Sequence, residues 1–237
     1  MIRIIPSAQR YHFETDWLST YWHFSFDHYF DAENTQFSVL RVFNDDVIRP
    51  GGGFPMHGHR DMEIVTYVLE GRLEHRDGMG NVGVIAPGEV QRMSAGTGVR
   101  HSEYNASKEE PCHLLQLWLL PARKGLEPSW EQKRFTREQR TGRLLPVAVP
   151  VEHREEKGAV GVHQDATIYA SLLPAGQTAT HALAPGRHAY LFLIAGQLQV
   201  NDPALRAGDQ ARISDESTLR LAAPPDAPAD FLLLDLP

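Results

Sequence analysis

The sequence predicts an all-β protein made of two β-sandwich or barrel domains in tandem. Three observations carry that expectation. Helical periodicity is scarce, short β-rich runs bounded by glycine, proline and asparagine recur along the whole chain, and the two halves repeat one pattern. With 237 residues, the chain is long enough for two domains of roughly 100 residues each.

In the first half the strand runs are FSVLRVF (37–43), EIVTYVLEG (63–71), RLEHRD (72–77) and CHLLQLWLL (112–120). In the second half they are YASLLP (169–174), YLFLIAG (190–196), QLQVN (197–201) and FLLLDLP (231–237). The repeat lies in their order: strand, glycine turn and strand lead to a Gly-acid turn, at Gly88-Glu89 and again at Gly208-Asp209, and then to a further short strand. Between the halves, residues 121–146 are polar, charged and nearly free of β-branched side chains, with a helical turn expected at PSWEQKRF. The domain expectation is therefore 1–125, a connector over 126–146, and 147–237.

Composition narrows the functions. Hydrophobic residues make up 42% and charged residues 22%, as in ordinary folded proteins. The balance of 23 basic against 30 acidic residues gives −7, and no basic stripe stands against it, which excludes nucleic acid as principal ligand. The N-terminus lacks the basic start and apolar stretch of a secretory signal, and no window approaches the ~20 apolar residues of a membrane span. A cytoplasmic protein without a membrane partner is expected. A single cysteine, Cys112, fits a reducing compartment and reads as a buried structural thiol.

The chemistry gathers in two stretches. In HGHRDMEIVTY (57–67), His57 and His59 stand two residues apart, and alternate residues of a strand project from one face. In SAGTGVRHSEYN (94–105), His101 and Glu103 form a second such pair beyond a glycine-rich turn. On neighbouring strands the two pairs would bring three imidazoles and one carboxylate together, a donor set suited to iron, manganese, nickel, copper, cobalt or zinc. Thiolates are absent from the set. Four donors on a metal that accepts five or six leave room for substrate or dioxygen, unlike a closed structural zinc site.

Glu63 shares the face of His57 and His59 if their strand runs unbroken, and a bend at Arg60-Asp61 would cancel that. Strand phase leaves it either a metal ligand or a partner of one. His23 and His28, in YWHFSFDHYF, either line a substrate cavity or pack at the core edge. Phe54, Met56, Met62 and Met93 either make an apolar pocket or belong to the core. His75 and His113 lie in expected strands and read as structural. In the second half, His181 falls near the place of the first-motif histidine. Leu183 holds the companion position, however, and SDESTLRLAA supplies no His-x-Glu. That half is expected to carry no metal.

The stretch Gly51-x5-His57-x-His59-x3-Glu63, followed by Gly71, resembles the first motif of the cupins, and Gly88 through His101-x3-Asn105 resembles the second. Gly71 lies one residue later than the commonest spacing, Ser94 replaces the usual proline, and the gap from Gly96 to His101 is two residues longer. Together with YWHFSFDHYF, LRVFNDD and MSAGTGVRHSEYN, the first 120 residues resemble the pirin family, in particular its bacterial members with quercetin 2,3-dioxygenase activity.

The resemblance implies a bicupin, that is, two jelly-roll domains, the second degenerate. It implies one divalent transition metal held by the residues matching His57, His59, His101 and Glu103, with Glu63 outside the ligand set. The activity implied is that of an oxidoreductase that opens the central ring of a flavonol such as quercetin with O2, releasing carbon monoxide. In it the substrate hydroxyl binds the metal and Glu103 takes the proton. Two other functions stay open: a metal-dependent regulatory protein whose surface contacts a protein partner, and a cupin small-molecule binder or isomerase.

Overall fold

Strands form where apolar and polar side chains alternate between turn residues, and the computed structural model, which describes residues 1–237, sorts them into two units. One unit comprises residues 11–134 and 160–164, the other residues 1–10, 135–159 and 165–237. Both are all-β, as expected.

The first unit stacks two antiparallel sheets. The larger runs in the order Ser129–Arg134, Glu89–Ser94, Glu63–Glu70, Cys112–Leu119, Leu40–Ile48, Leu18–Trp22, Tyr11–Glu14. The smaller runs Gly53–His59, Val99–Asn105, Leu73–Asp77, Val82–Ile85. In LEHRD, Leu73, His75 and Asp77 are buried while Glu74 and Arg76 face outward, the period-two pattern of a sheet with one face covered. Leu18, Ile48, Val68, Leu73, Ile85 and Leu114 pack one core cluster with Cys112 among them. Burial pushes the Cys112 thiol up to about 12, which keeps it protonated and inert.

The second unit repeats the arrangement with Ile2–Ile5, Gln210–Ile213, His188–Val200, Ala229–Leu236, Thr167–Leu173 and Leu145–Pro150 in one sheet. Thr178–Ala182 pairs with Thr218–Ala222, as Gly53–His59 pairs with Val99–Asn105. Each unit also carries an outer strand from outside its own repeat. Ser129–Arg134 lies on Glu89–Ser94, and Ile2–Ile5 lies on Gln210–Ile213.

This exchange divides residues 126–146, which the sequence presents as a connector. The expected helical turn at PSWEQKRF is instead the Ser129–Arg134 strand, since pairing with an open sheet edge outweighs the weak β preference of its polar residues. A short helix does form nearby, at Arg137–Arg140, where Thr136 and Gln139 make a reciprocal capping box. No helix is long and apolar enough to cross a membrane.

The two glycine turns noted in the sequence are structurally equivalent. Gly71 has φ +72° and Gly196 has φ +83°, and a Cβ on either would strike a proline carbonyl, Pro111 O at 2.3 Å or Pro228 O at 1.8 Å. Both prolines immediately precede the strand that returns through the centre of the sheet, Cys112–Leu119 or Ala229–Leu236. Gly71→Ala therefore combines left-handed backbone strain with a backbone clash. We expect it to lower the unfolding free energy by about 2–5 kcal/mol, seen as a lower urea midpoint at unchanged m-value.

Candidate metal centre

His57 and His101 sit directly opposite each other in the antiparallel pairing of Gly53–His59 with Val99–Asn105, and His59 sits opposite Val99. Between His101 and Glu103 the register slips, so that Glu103 faces Phe54 and the His57 strand carries an extra residue. Pro55 falls in that slip, where its missing N–H is harmless. The bulge also reverses strand parity. Phe54, an odd step from His57, is brought to the same cavity wall as His57 and His59.

The donor atoms of His57, His59 and His101 lie within 4.8 Å of one another, and so do those of His75, His101 and Glu103. Metal–nitrogen bonds of about 2.0–2.1 Å place opposite ligands roughly 4 Å apart, so the spacing suits one cation. The structure thus gathers the three imidazoles and brings Glu103 within reach of His101. Nδ1–H of His57 donates to the Pro55 carbonyl at 2.7 Å, which leaves Nε2 as its lone-pair nitrogen. Gln116 Nε2 donates to Glu103 Oε2 at 2.8 Å, and Trp118 Nε1 donates to Gln116 Oε1 at 3.1 Å. Glu103 Oε1 and His101 Nε2 are buried without a hydrogen-bond partner. Such atoms are each destabilising by about 1–3 kcal/mol unless something satisfies them, and a divalent cation in the cluster would satisfy both. Burial and the neighbouring imidazoles hold His59 down to about 4 and His101 to about 3, so both rings are neutral at pH 7 and able to donate to a metal.

A cavity of about 440 Å³ opens over the cluster. Its walls are aromatic, with Phe13, Trp17, Trp22, Phe26, Phe54 and Trp118, while His57, His59, Glu103, Gln116, Asn44 and Asp46 supply the polar groups. The volume and the lining suit a planar organic ligand.

Glu63 lies elsewhere. The chain turns at Asp61, whose φ is +50°, and Glu63 opens a strand of the larger sheet. There its Oε2 accepts from Ser94 Oγ at 2.9 Å and from the His163 backbone N–H at 3.0 Å. Neither histidine group includes it. His23, one residue past Trp22, faces away from the cavity and stacks on Phe43 with ring centroids 4.6 Å apart. Met93 is fully buried in a core cluster with Ile64, Ala95 and Val99. Of the four residues read as cavity or orienting partners, only Phe54 is among the lining side chains.

Sequence reading missed Trp22, Trp118, Gln116 and Asp46. It also took His75 as structural, whereas that ring touches His101. The alternation of LEHRD, which turns His75 inward beside the motif strands, was the available signal.

Two stacked antiparallel sheets, with a His-x-His strand paired to a His-x-Glu strand, define a metal-type cupin centre. Residues 5–119 match the Pirin family and residues 151–236 match the Quercetinase C-terminal cupin domain. The quercetin 2,3-dioxygenase of Escherichia coli K12 is 40% identical over 237 residues, covering 100% of this chain and 99% of its own. A pirin-like protein of Caulobacter vibrioides is 41% identical, covering 92% of both chains. The crystal structure of the bacterial pirin YhhW of Escherichia coli in complex with nickel(II) superposes with a TM-score of 0.93 at 40% identity, covering 100% of this chain and 99% of that one. The chain belongs to the pirin family, and its fold is that of a bicupin.

Asp46 gives the cavity a pH-dependent feature. Burial, reinforced by the charges of Asp45 and Glu103, raises its carboxyl from 3.8 to about 7. Between those values the folded protein binds the proton that the unfolded chain has released, so stability falls as pH rises from 3.8 to about 7 and levels off above it. Asp46→Asn should therefore raise the melting temperature at pH 8 and leave it nearly unchanged below pH 4. Parallel melting curves of variant and parent across that range check this.

Proposed function

We propose that the chain holds one divalent transition metal through His57, His59, His101 and Glu103, and uses it to open the central ring of flavonols such as quercetin with dioxygen, releasing carbon monoxide. The observation that carries this reading is the convergence of three imidazoles and a half-satisfied carboxylate on the wall of an aromatic cavity. The quercetin dioxygenase name of the Escherichia coli relative and the nickel complex of YhhW support it.

A metal in the cluster would supply Lewis acidity toward a bound hydroxyl and a route for electrons between substrate and dioxygen. The chain supplies the rest. Trp22, Phe54 and Trp118 offer flat apolar surfaces that hold an aromatic substrate and exclude water. Glu103, its carboxylate oriented by Gln116 at Oε2, accepts the proton of the substrate hydroxyl. Asn44 and Asp46, on a strand of the facing sheet, stand ready to hydrogen-bond other substrate hydroxyls.

Glu103→Gln keeps an oxygen donor but removes the base. We expect much of the metal to be retained and turnover to fall about 10²–10⁴-fold. Elemental analysis, paired with loss of flavonol absorbance under aerobic and anaerobic conditions, measures both. Unchanged turnover would remove Glu103 as the base. Lack of oxygen-dependent flavonol loss with every divalent metal of the series would overturn the dioxygenase reading.

A further inference from the structure

Behind the ligand set lies a second buried imidazole, His75, which no step above uses. It is fully buried, and its Nδ1 sits 3.4 Å from Nδ1 of His101. Gln91 Nε2 reaches the same nitrogen at 3.4 Å, and Asp77 Oδ2 lies 3.7 Å from His75 Nε2. Asp77 is itself fixed. Its Oδ1 accepts the backbone N–H groups of Met79 and Asn81, and its Oδ2 accepts the Asn81 side-chain amide.

His75 Nε2, like His101 Nε2, has no hydrogen-bond partner, and Asp77 at 3.7 Å acts on it through charge alone, so proton placement along this row is set from His101. His101 Nε2 is the nitrogen without a protein partner, so His101 carries its hydrogen on Nδ1 and must donate it. The acceptor is His75 Nδ1, and His75 then bears its own hydrogen on Nε2, toward the Asp77 carboxylate. Gln91 Nε2, also 3.4 Å from that nitrogen, is placed to offer it an N–H, which agrees with this tautomer. Resting on the metal-centre reading above, we propose that His75 is a positioning residue. It accepts the Nδ1 hydrogen of His101, fixing which His101 nitrogen faces the metal and how strongly that nitrogen donates, with Asp77 orienting His75 from behind. An imidazole in this place is a weaker acceptor than a carboxylate. The row therefore tunes His101 more gently than a direct carboxylate partner would.

The test uses the full chain loaded with cobalt(II), read by chelator competition and by the visible ligand-field spectrum. His75→Phe fills the space without an acceptor, and His75→Asn keeps an acceptor oxygen near Nδ1 but leaves a void. The proposal expects His75→Phe to lose about 10–100-fold in cobalt affinity with a changed spectrum, and His75→Asn to retain most of the parent affinity and spectrum. A packing role gives the opposite order, and that order, or parent-like cobalt binding by His75→Phe, overturns the proposal. If His75→Phe does not fold, His75→Leu removes the acceptor with less bulk and is compared with His75→Asn in the same way. His101→Leu is the control for the underlying reading. If it binds cobalt like the parent, the metal centre itself is misassigned. If it abolishes binding while the His75 variants change nothing, only the role of His75 falls.

Discussion

Placing His57 directly opposite His101 in adjacent antiparallel strands is the constraint on which the site depends. Side chains at directly paired positions have Cβ atoms about 4.5–5.5 Å apart, close enough for two imidazoles to share one ion. His59 then follows two residues along on the same face, with its ring centroid 4.9 Å from that of His101. The slip between His101 and Glu103 completes the geometry. Without the extra residue beside Pro55, Phe54 would turn to the outer face and the Pro55 carbonyl would not be placed to accept from His57. One bulge thus sets an imidazole tautomer and furnishes a wall of the cavity.

Burial decides the charge state of what that geometry brings together. The same desolvation that keeps His59 and His101 neutral also raises Asp46 across the cavity. A group of neutral donors beside carboxyls is poorly satisfied by itself, and the unpaired His101 Nε2 and Glu103 Oε1 record that tension. A divalent cation resolves it, because one ion gives the imidazole lone pair and the carboxylate oxygen a common partner. On three of the four residues the protein holds a polar atom turned away from the cluster: Gln116 on Glu103, Pro55 on His57, His75 on His101. This division between inward atoms left open and outward atoms held marks a binding site, and an unfinished core would not show it.

Much of this was legible in the sequence because the signals are local. The two i, i+2 pairs, the glycine turns at Gly71 and Gly196 and the period-two runs all follow from rules that act over a few residues. The less legible features depend on partners distant in the chain. Ser129–Arg134 is a strand because a sheet edge some forty residues earlier was open to it. Glu63 left the face of His57 because a single positive-φ residue, Asp61, sends the chain into the other sheet. Asp46 and Trp118 reached the cavity through sheet stacking, which no periodicity encodes. His23 and Trp22 show the limit most simply: one residue of phase separates the cavity wall from the core.

The second unit shows how few changes separate a metal centre from a packed interior. Leu219 pairs with His181 as His101 pairs with His57, so the register that builds the first site is kept in the second. Leucines occupy the positions that correspond to His59, His101 and Glu103, and Leu183, Leu219 and Leu221 all lie in the buried hydrophobic cluster of that unit. His181, the one imidazole retained, turns its Nε2 to Asp235 at 2.7 Å, a carboxylate that Arg187 also engages. Each leucine removes a donor and adds apolar volume, so the interior that would need an ion to satisfy it becomes one stabilised by burial alone. A fold that tolerates both interiors does not require the metal for its architecture. The cost of leaving His101 Nε2 and Glu103 Oε1 unpaired in the first unit is therefore best understood as stability given up for chemistry.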